Sequence, residues 1–214
     1  MFGRAETSEP VVVVIDDDQS VREALGGLFQ SVGLVADLYG SVQDYLDAGQ
    51  SRRAGCIVLD IRLPGISGLE FQEALAKSDI AQSVVLISAH VDVQMAVRAM
   101  KAGAIDVLTK PVREQDLLEA VNRALAKDSQ RRRDETRDMA LRARYATLSE
   151  RERQVFALVA AGLLNKQIAD RVSITEATVK LHRSQVMRKM EAASLPELVR
   201  MADRLAKGDG PEKL

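Results

Sequence analysis

The sequence predicts a doubly wound, five-stranded parallel α/β sheet followed by a separate all-helical domain. Three observations predict this. Over the first 126 residues, short apolar runs alternate five times with stretches of helical period, the rhythm of strand–helix–strand units. The apolar runs are rich in β-branched residues and do not alternate with polar ones, as expected of strands covered on both faces. From Leu148 onward no strand-like run recurs, and the helical segments become short.

The run "VVVVI" (11–15) gives the first strand, followed by a helix on Val21, Leu25, Leu28, Phe29 and Val32 that Gly33 closes. "LVADLY" (34–39) is the second strand, and Ser41 caps a helix using Val42, Tyr45 and Leu46. "CIVLD" (56–60) is the third, with a helix through Leu69, Phe71, Ala74 and Leu75. "SVVLIS" (83–88) is the fourth, with a helix through Val93, Met95, Ala96, Ala99 and Met100 stopped by Gly103. "AIDVLTK" (104–110) is the fifth, and Leu117, Leu118, Val121 and Leu125 complete the last helix. Strands of this type bind ligands beyond their carboxyl ends, at the point where the strand order reverses.

Residues 127–146 are charged, begin without a hydrophobic face, and read as a helical linker whose arginine run is solvated surface. Ser149 and Glu152 then form a capping box for a helix with Val155, Phe156, Leu158 and Val159, ended by Gly162. "NKQIADRV" is a second short helix and "SITEATVKLHRSQVMRKM" leads into a longer third. Ser194 and Glu197 form another box for "LPELVRMADRLA", and the tail "KGDGPEKL" should fray. The expected domains are 10–126 and 147–207, joined by the linker.

The bulk figures fit a globular chain. Its 214 residues are 46% hydrophobic with mixed charge, enough to bury two small cores. No apolar run reaches the length of a membrane span, and "MFGRAETSEP" has no signal-peptide core, so a cytoplasmic location is expected. A single cysteine, Cys56, excludes an internal disulfide and reads as packing. The net charge of −1 conceals a division: residues 1–126 carry 11 Lys and Arg against 18 Asp and Glu, whereas 127–145 and 146–214 carry net +3 each. An acidic front and basic back suit different partners, with nucleic acid for the second.

The chemistry gathers at the strand ends. The first strand runs into Asp16, Asp17 and Asp18, the third ends in Asp60, the fourth in Ser88, and the fifth in Lys110 before Pro111. A strand as apolar as Cys56–Leu59 ending on a bare carboxylate needs a partner for that charge. In a sheet ordered 2-1-3-4-5 the first and third strands are neighbours, so Asp16, Asp17 and Asp60 share one edge. Oxygen-only ligands of this kind suit Mg²⁺ (or Mn²⁺). A hydroxyl and an ammonium beside them suit a phosphoryl group, with Asp60 placed as nucleophile.

Through "VIDDDQSVRE", "LDIRLPGISG", "LISAH" and "MKAGAIDVLTKP", residues 10–126 resemble the receiver domain of two-component response regulators, a flavodoxin-like fold. The resemblance implies that Asp60 takes phosphate from a histidine kinase. It also implies that Asp17, Asp60 and the backbone carbonyl of Arg62 bind the metal, with Asp16 acting through water. Ser88 senses the phosphate, Lys110 contacts it, and the Lys110–Pro111 bond is cis. One position departs from the pattern: Val107 stands where an aromatic rotamer switch is usual, and a β-branched side chain cannot swing as an aromatic does. Coupling through the backbone of residues 88–95 is the expected substitute.

The basic end has the rhythm of a helix-turn-helix. Ile168, Ala169, Ile174 and Val179 are its expected packing residues, and Val179, Val186 and Met190 share the inner stripe of the second helix. Lys180, Arg183, Ser184 and Met187 or Arg188 lie near an outer stripe suited to a major groove. Lys166 and Thr175, near helix starts, are expected to assist at phosphates, Thr178 is expected among the DNA-binding residues, and His182 fits either the core edge or DNA. The stretch "LSERERQVFALVAAGLLNKQIADRVSITEATVKLHRSQVMRKM" closely resembles the LuxR-type helix-turn-helix. With the receiver, this points to the NarL/FixJ family of bacterial transcription regulators. That resemblance implies dimeric binding to promoter DNA at two half-sites, activation, and RNA polymerase as a further partner. The stripe Leu198, Met201, Ala202 and Leu205 serves either as a dimer face or as a lid on the core. Two competing readings are an aspartate-based phosphatase, disfavoured by Arg62 where a second carboxylate is needed, and a DNA-binding protein with a vestigial receiver. The chain is expected to catalyse only its own phosphotransfer and dephosphorylation.

Overall fold

A computed structural model describes residues 9–49, 53–78 and 82–208, so most of the N-terminal decapeptide and of the tail expected to fray lies outside the described residues. The chain divides into two compact units, Met1–Arg131 and Arg132–Leu214.

The first unit is built on five parallel strands, β1 (Val11–Ile15), β2 (Val35–Tyr39), β3 (Gly55–Asp60), β4 (Ser83–Ser88) and β5 (Asp106–Thr109), in the order β2-β1-β3-β4-β5. The helices are α1 (Gln19–Ser31), α2 (Val42–Asp47), α3 (Gly68–Lys77), α4 (Val93–Lys101) and the beginning of α5 (Glu114–Ala146). The three central strands are buried along their whole lengths, which explains their lack of alternation. One face packs Val11, Val13, Ile15, Ile57, Leu59 and Leu86 with Tyr45, Phe71 and Leu75. The other packs Val12, Val14, Val58, Val85 and Ile87 with Phe29, Leu117, Val121 and Ala124. Adjacent residues of one strand thus serve opposite cores, as strand geometry requires.

Element boundaries shift slightly from the pattern. β5 begins at Asp106 rather than 104, because Ala104 and Ile105 form the entry from α4, with Ile105 N–H donating to Val84 O at 2.7 Å. Gly68 opens α3, one residue ahead of the apolar pattern, with Ser67 as its N-cap and Glu70 closing a capping box. A Cβ on Gly68 would lie 2.0 Å from Asp60 O, so glycine is what lets the helix start against the end of β3. Gly55 answers a similar need at the other end of β3, with φ +144° and a hypothetical Cβ 1.8 Å from Val11 O. Its N–H donates to the buried carboxylate of Asp128, a residue of α5 beyond position 126.

In the second unit the end of α5 is followed by α6 (Glu150–Ala160), α7 (Asn165–Val172), α8 (Glu176–Met190) and α9 (Leu195–Gly208). Charged residues 127–146 are helical throughout within α5. Leu141 on that helix joins Leu148, Val155, Phe156, Val159, Ile168, Val179, Val186, Met190 and Leu198 in one core. The Ser149–Glu152 box is formed in both directions. In the second box Ser194 Oγ accepts from Glu197 N–H at 3.4 Å, but Glu197 Oε2 accepts from Ala193 N–H instead of Ser194. Leu198 is fully buried, and Met201, Ala202 and Leu205 pack half-buried against the same core. The stripe thus covers part of its own domain's core while keeping some exposed surface. Among the described residues no helix is long and apolar enough to cross a membrane.

Candidate functional site

The strand register sets the first site. Ile15 lies opposite Leu59, Asp60 opposite Ile87, and Ser88 opposite Thr109. Asp16, Asp60, Ser88 and Lys110 consequently emerge at one edge of the sheet. Asp16 and Ser88 are fully buried and Asp60 is 5% exposed. Asp17 is exposed, yet carboxylate oxygens of Asp16, Asp17 and Asp60 all lie within 4.8 Å of one another.

Lys110 supplies the partner that Asp60 requires. Its Nζ donates to Asp60 Oδ2 at 2.5 Å and to Asp16 Oδ2 at 2.6 Å. The remaining oxygens are bonded by backbone: Arg62 N–H to Asp60 Oδ1 at 2.9 Å and Asp18 N–H to Asp16 Oδ1 at 3.1 Å. Burial raises the pKa of Asp16 above the ordinary carboxylate value, with the Lys110 bond only partly offsetting it. Burial works against the charge of Lys110 too, but its two carboxylate partners prevail and hold it above the usual lysine value. The peptide Lys110–Pro111 is cis, and Lys110 N–H donates to Ser88 O at 2.8 Å.

Ser88 Oγ donates to His90 O at 3.1 Å, folding the chain back just after β4. Val107 is half-buried and packs with Met95 against the core under this edge. Asp18 belongs to the helix rather than the pocket: it caps α1, accepting from Ser20 N–H and Oγ–H. Arg22, which the sequence pattern does not single out, turns back from α1. Its Nη1 donates to Asp16 O at 2.6 Å and Asp17 O at 2.9 Å. Cys56 is buried in β3, and burial pushes its thiol up to about 12, which suits packing and not reactivity.

Three carboxylates and an ammonium at one edge form a hard-oxygen donor set with charge balance for a divalent cation and a phosphoryl group. Mg²⁺ fits the donors present.

The second site is the outer face of α8. Thr175 is its N-cap, with Oγ1 accepting from Thr178 N–H and lying 2.8 Å from Thr178 Oγ1. Lys180, Ser184 and Arg188 are exposed along one stripe, as is Lys166 near the start of α7. Arg183 is half-buried and donates to Asn165 Oδ1 at 3.0 Å, tying α8 to α7. Met187 packs inward. Leu181, absent from the expected outer stripe, is instead 57% exposed beside Lys180. His182 is half-buried, and its buried Nδ1 has no hydrogen-bond partner among the described residues.

Comparison with known proteins agrees with both halves. Residues 12–122 match the family model of the response regulator receiver domain, and residues 146–202 that of bacterial regulatory proteins of the luxR family. Nodulation protein W of Bradyrhizobium diazoefficiens is 45% identical over 204 residues, covering 95% of this chain and 90% of that protein. The transcriptional regulatory protein FixJ of Azorhizobium caulinodans is 46% identical over 191 residues, 89% of this chain and 90% of that one. The solved structure of the response regulator StyR superposes with a TM-score of 0.82 at 42% identity, covering 92% of this chain and 100% of that chain. Receiver domains of this type bind Mg²⁺ through acidic residues and are partners of histidine kinases, and the luxR-type domain binds DNA. The chain belongs to the NarL/FixJ family of response regulators, in which a phosphorylated receiver domain governs transcription through a LuxR-type DNA-binding domain.

Proposed function

We propose that Asp60 is the phosphoacceptor and that its phosphorylation converts the chain into a promoter-binding dimer. One observation carries this reading: the convergence of Asp16, Asp17 and Asp60 with Lys110 Nζ at the carboxyl edge of the sheet. In the transfer an Asp60 carboxylate oxygen forms the new bond to phosphorus while the bond to the donor's histidine nitrogen breaks. Lys110, bonded to Asp60 Oδ2 before transfer, is placed to contact a phosphoryl oxygen once the Asp60 carboxylate gives up its charge in the acyl phosphate. Ser88 Oγ exchanges His90 O for a phosphoryl oxygen and draws residues 88–95 with it. Val107 and Met95, packed on the core below, adjust to that movement in place of an aromatic switch. Asp17, Asp60 and the carbonyl of Arg62 would hold Mg²⁺, with Asp16 reaching it through water. When bound there, such an ion would supply charge neutralisation for the phosphoryl group.

The domain division follows: 10–126 receives phosphate, 127–146 links, and 147–207 binds DNA. Lys180, Ser184 and Arg188 face the major groove with His182 and Arg183 behind them, while Lys166, Thr175 and Thr178 hold the backbone. Met201, Ala202 and Leu205 on α9 pack on the core of their own domain yet stay partly exposed, which leaves that stripe available to a dimer contact. The chain acts in the bacterial cytoplasm as an activator, catalysing only its own phosphotransfer and dephosphorylation, with RNA polymerase as a further partner. Incubation with Mg²⁺ and a small-molecule phosphodonor, followed by intact mass, tests the first step. The wild type gains one phosphoryl group and Asp60→Asn gains none; phosphorylation of both overturns the assignment.

A further inference from the structure

We propose that Arg22 is a positioning residue that sets the metal affinity of the acidic pocket by clamping the backbone that carries Asp16 and Asp17. The inference rests on the proposed metal site. Asp60 and Asp16 are held by bonds to their own carboxylates, from Lys110, Arg62 N–H and Asp18 N–H. Asp17 is different. Its carboxylate is exposed and accepts no hydrogen bond among the described residues, yet it converges with the other two within 4.8 Å. What fixes it is therefore its backbone.

That backbone is gripped at both flanking peptide units. Arg22 Nη1 donates to Asp16 O, the carbonyl preceding Asp17, and to Asp17 O, the carbonyl following it. The second peptide is also held from its other side, by Asp18 N–H donating to Asp16 Oδ1. The clamp closes on itself through α1: Asp18 caps the helix, Asp18 O accepts from Arg22 N–H at 3.1 Å, and the helix carries Arg22 back to the loop.

The chemistry favours arginine here. A guanidinium is always charged and offers several donors from a rigid plane, so it can order two carbonyl dipoles at once. Arg22 forms no ion pair with Asp16, Asp17 or Asp60 among the described residues. It orders the acidic loop without competing for the carboxylates, as Lys110 does. Partners that orient ligating groups typically contribute about 10–100-fold to metal affinity.

The test is calorimetric titration of Mg²⁺ into the full chain as wild type, Arg22→Gln, Arg22→Lys and Asp17→Asn, with the phosphorylation rate measured at saturating Mg²⁺. Arg22→Gln weakens Mg²⁺ by about tenfold or more, Arg22→Lys weakens it less, and the rate at saturating metal is retained. Wild-type affinity in both Arg22 variants, with Mg²⁺ lost in Asp17→Asn, overturns the clamp and leaves the metal site standing. Wild-type affinity in Asp17→Asn overturns the metal site and the clamp with it. Should Arg22→Gln fail to fold, Arg22→Lys decides, and unchanged affinity overturns the proposal.

Discussion

Lys110 and the two buried carboxylates it joins show what a single residue contributes at this site. Asp16 and Asp60 bring like charges together in a region nearly closed to water, and Lys110 Nζ is the cation that bonds both. Replacing it by methionine keeps the length but leaves both carboxylates without that bond. Lys110→Met is expected to cost about 2 kcal/mol at neutral pH, the scale of a lost hydrogen bond to a charged group. The sign with pH follows from Asp16, whose pKa burial already raises above its unfolded value. Its native form holds its proton to higher pH than the unfolded chain, so stability falls as pH rises through that window. Without Lys110 the window widens upward, and the deficit of the variant shrinks on acidification. Denaturant unfolding across mildly acidic to neutral pH checks this; a pH-independent deficit contradicts it. Placement of Asp16, Asp17, Asp60 and Lys110 at one edge was legible because each stands where an apolar run ends. Arg22 was not legible, since nothing in a run of residues shows that an arginine on α1 turns back to two carbonyls.

At the scale of elements, the join between β3 and α3 determines where Asp60 sits. The first turn of α3 lies against the last residue of β3, with Gly68 N–H donating to Ile61 O at 3.0 Å. Gly68→Ala places a Cβ onto Asp60 O. It is expected to cost about 1–3 kcal/mol, as overpacking does, and to slow phosphorylation of Asp60 by moving the carboxylate. A normal rate with unchanged stability contradicts this. The start of α6 gives a second case. Glu152 is buried, accepts from Ser149 N–H at 2.7 Å, and pairs with Lys189 of α8 at 2.6 Å. The Lys189 bond, chiefly, holds its pKa below the ordinary carboxylate value. A depressed carboxylate stabilises the fold above its unfolded pKa, and that stability is lost as pH falls through the folded one. Glu152→Gln should therefore flatten the acid limb of unfolding below the usual glutamate range. Ser149→Ala should cost about 1 kcal/mol through the lost cap. Strands and the Ser149–Glu152 box were legible from apolar runs and spacing, whereas the Ser67–Glu70 box and the half-formed state of the Ser194–Glu197 pair were not. The inward turn of Arg183 to Asn165 and the exposure of Leu181 were not. On a short helix one residue of rotation separates the two faces, and only tertiary packing fixes it.

Over the whole molecule, the charge division matches the division of chemistry. The part with a net −7 holds the acidic pocket, and the net +3 of residues 146–214 lies in the part with the exposed stripe of α8. The cores on the two faces of the sheet support the first site, and the separate core of the helical unit supports the second. The sequence showed both modules because each has its own periodicity. It left open whether Leu198, Met201, Ala202 and Leu205 face a partner or the core, since one apolar stripe serves either use; Leu198 is buried in the core and the other three only partly so. The central claim is that phosphate at Asp60 changes the association of the whole chain. The most direct measurement is light scattering of wild type and Asp60→Asn with Mg²⁺ and beryllofluoride, which mimics the phosphoryl group. The account predicts that the mass of the wild type doubles while Asp60→Asn stays monomeric. A wild type that binds the mimic without associating, or an Asp60→Asn that dimerises equally, contradicts it.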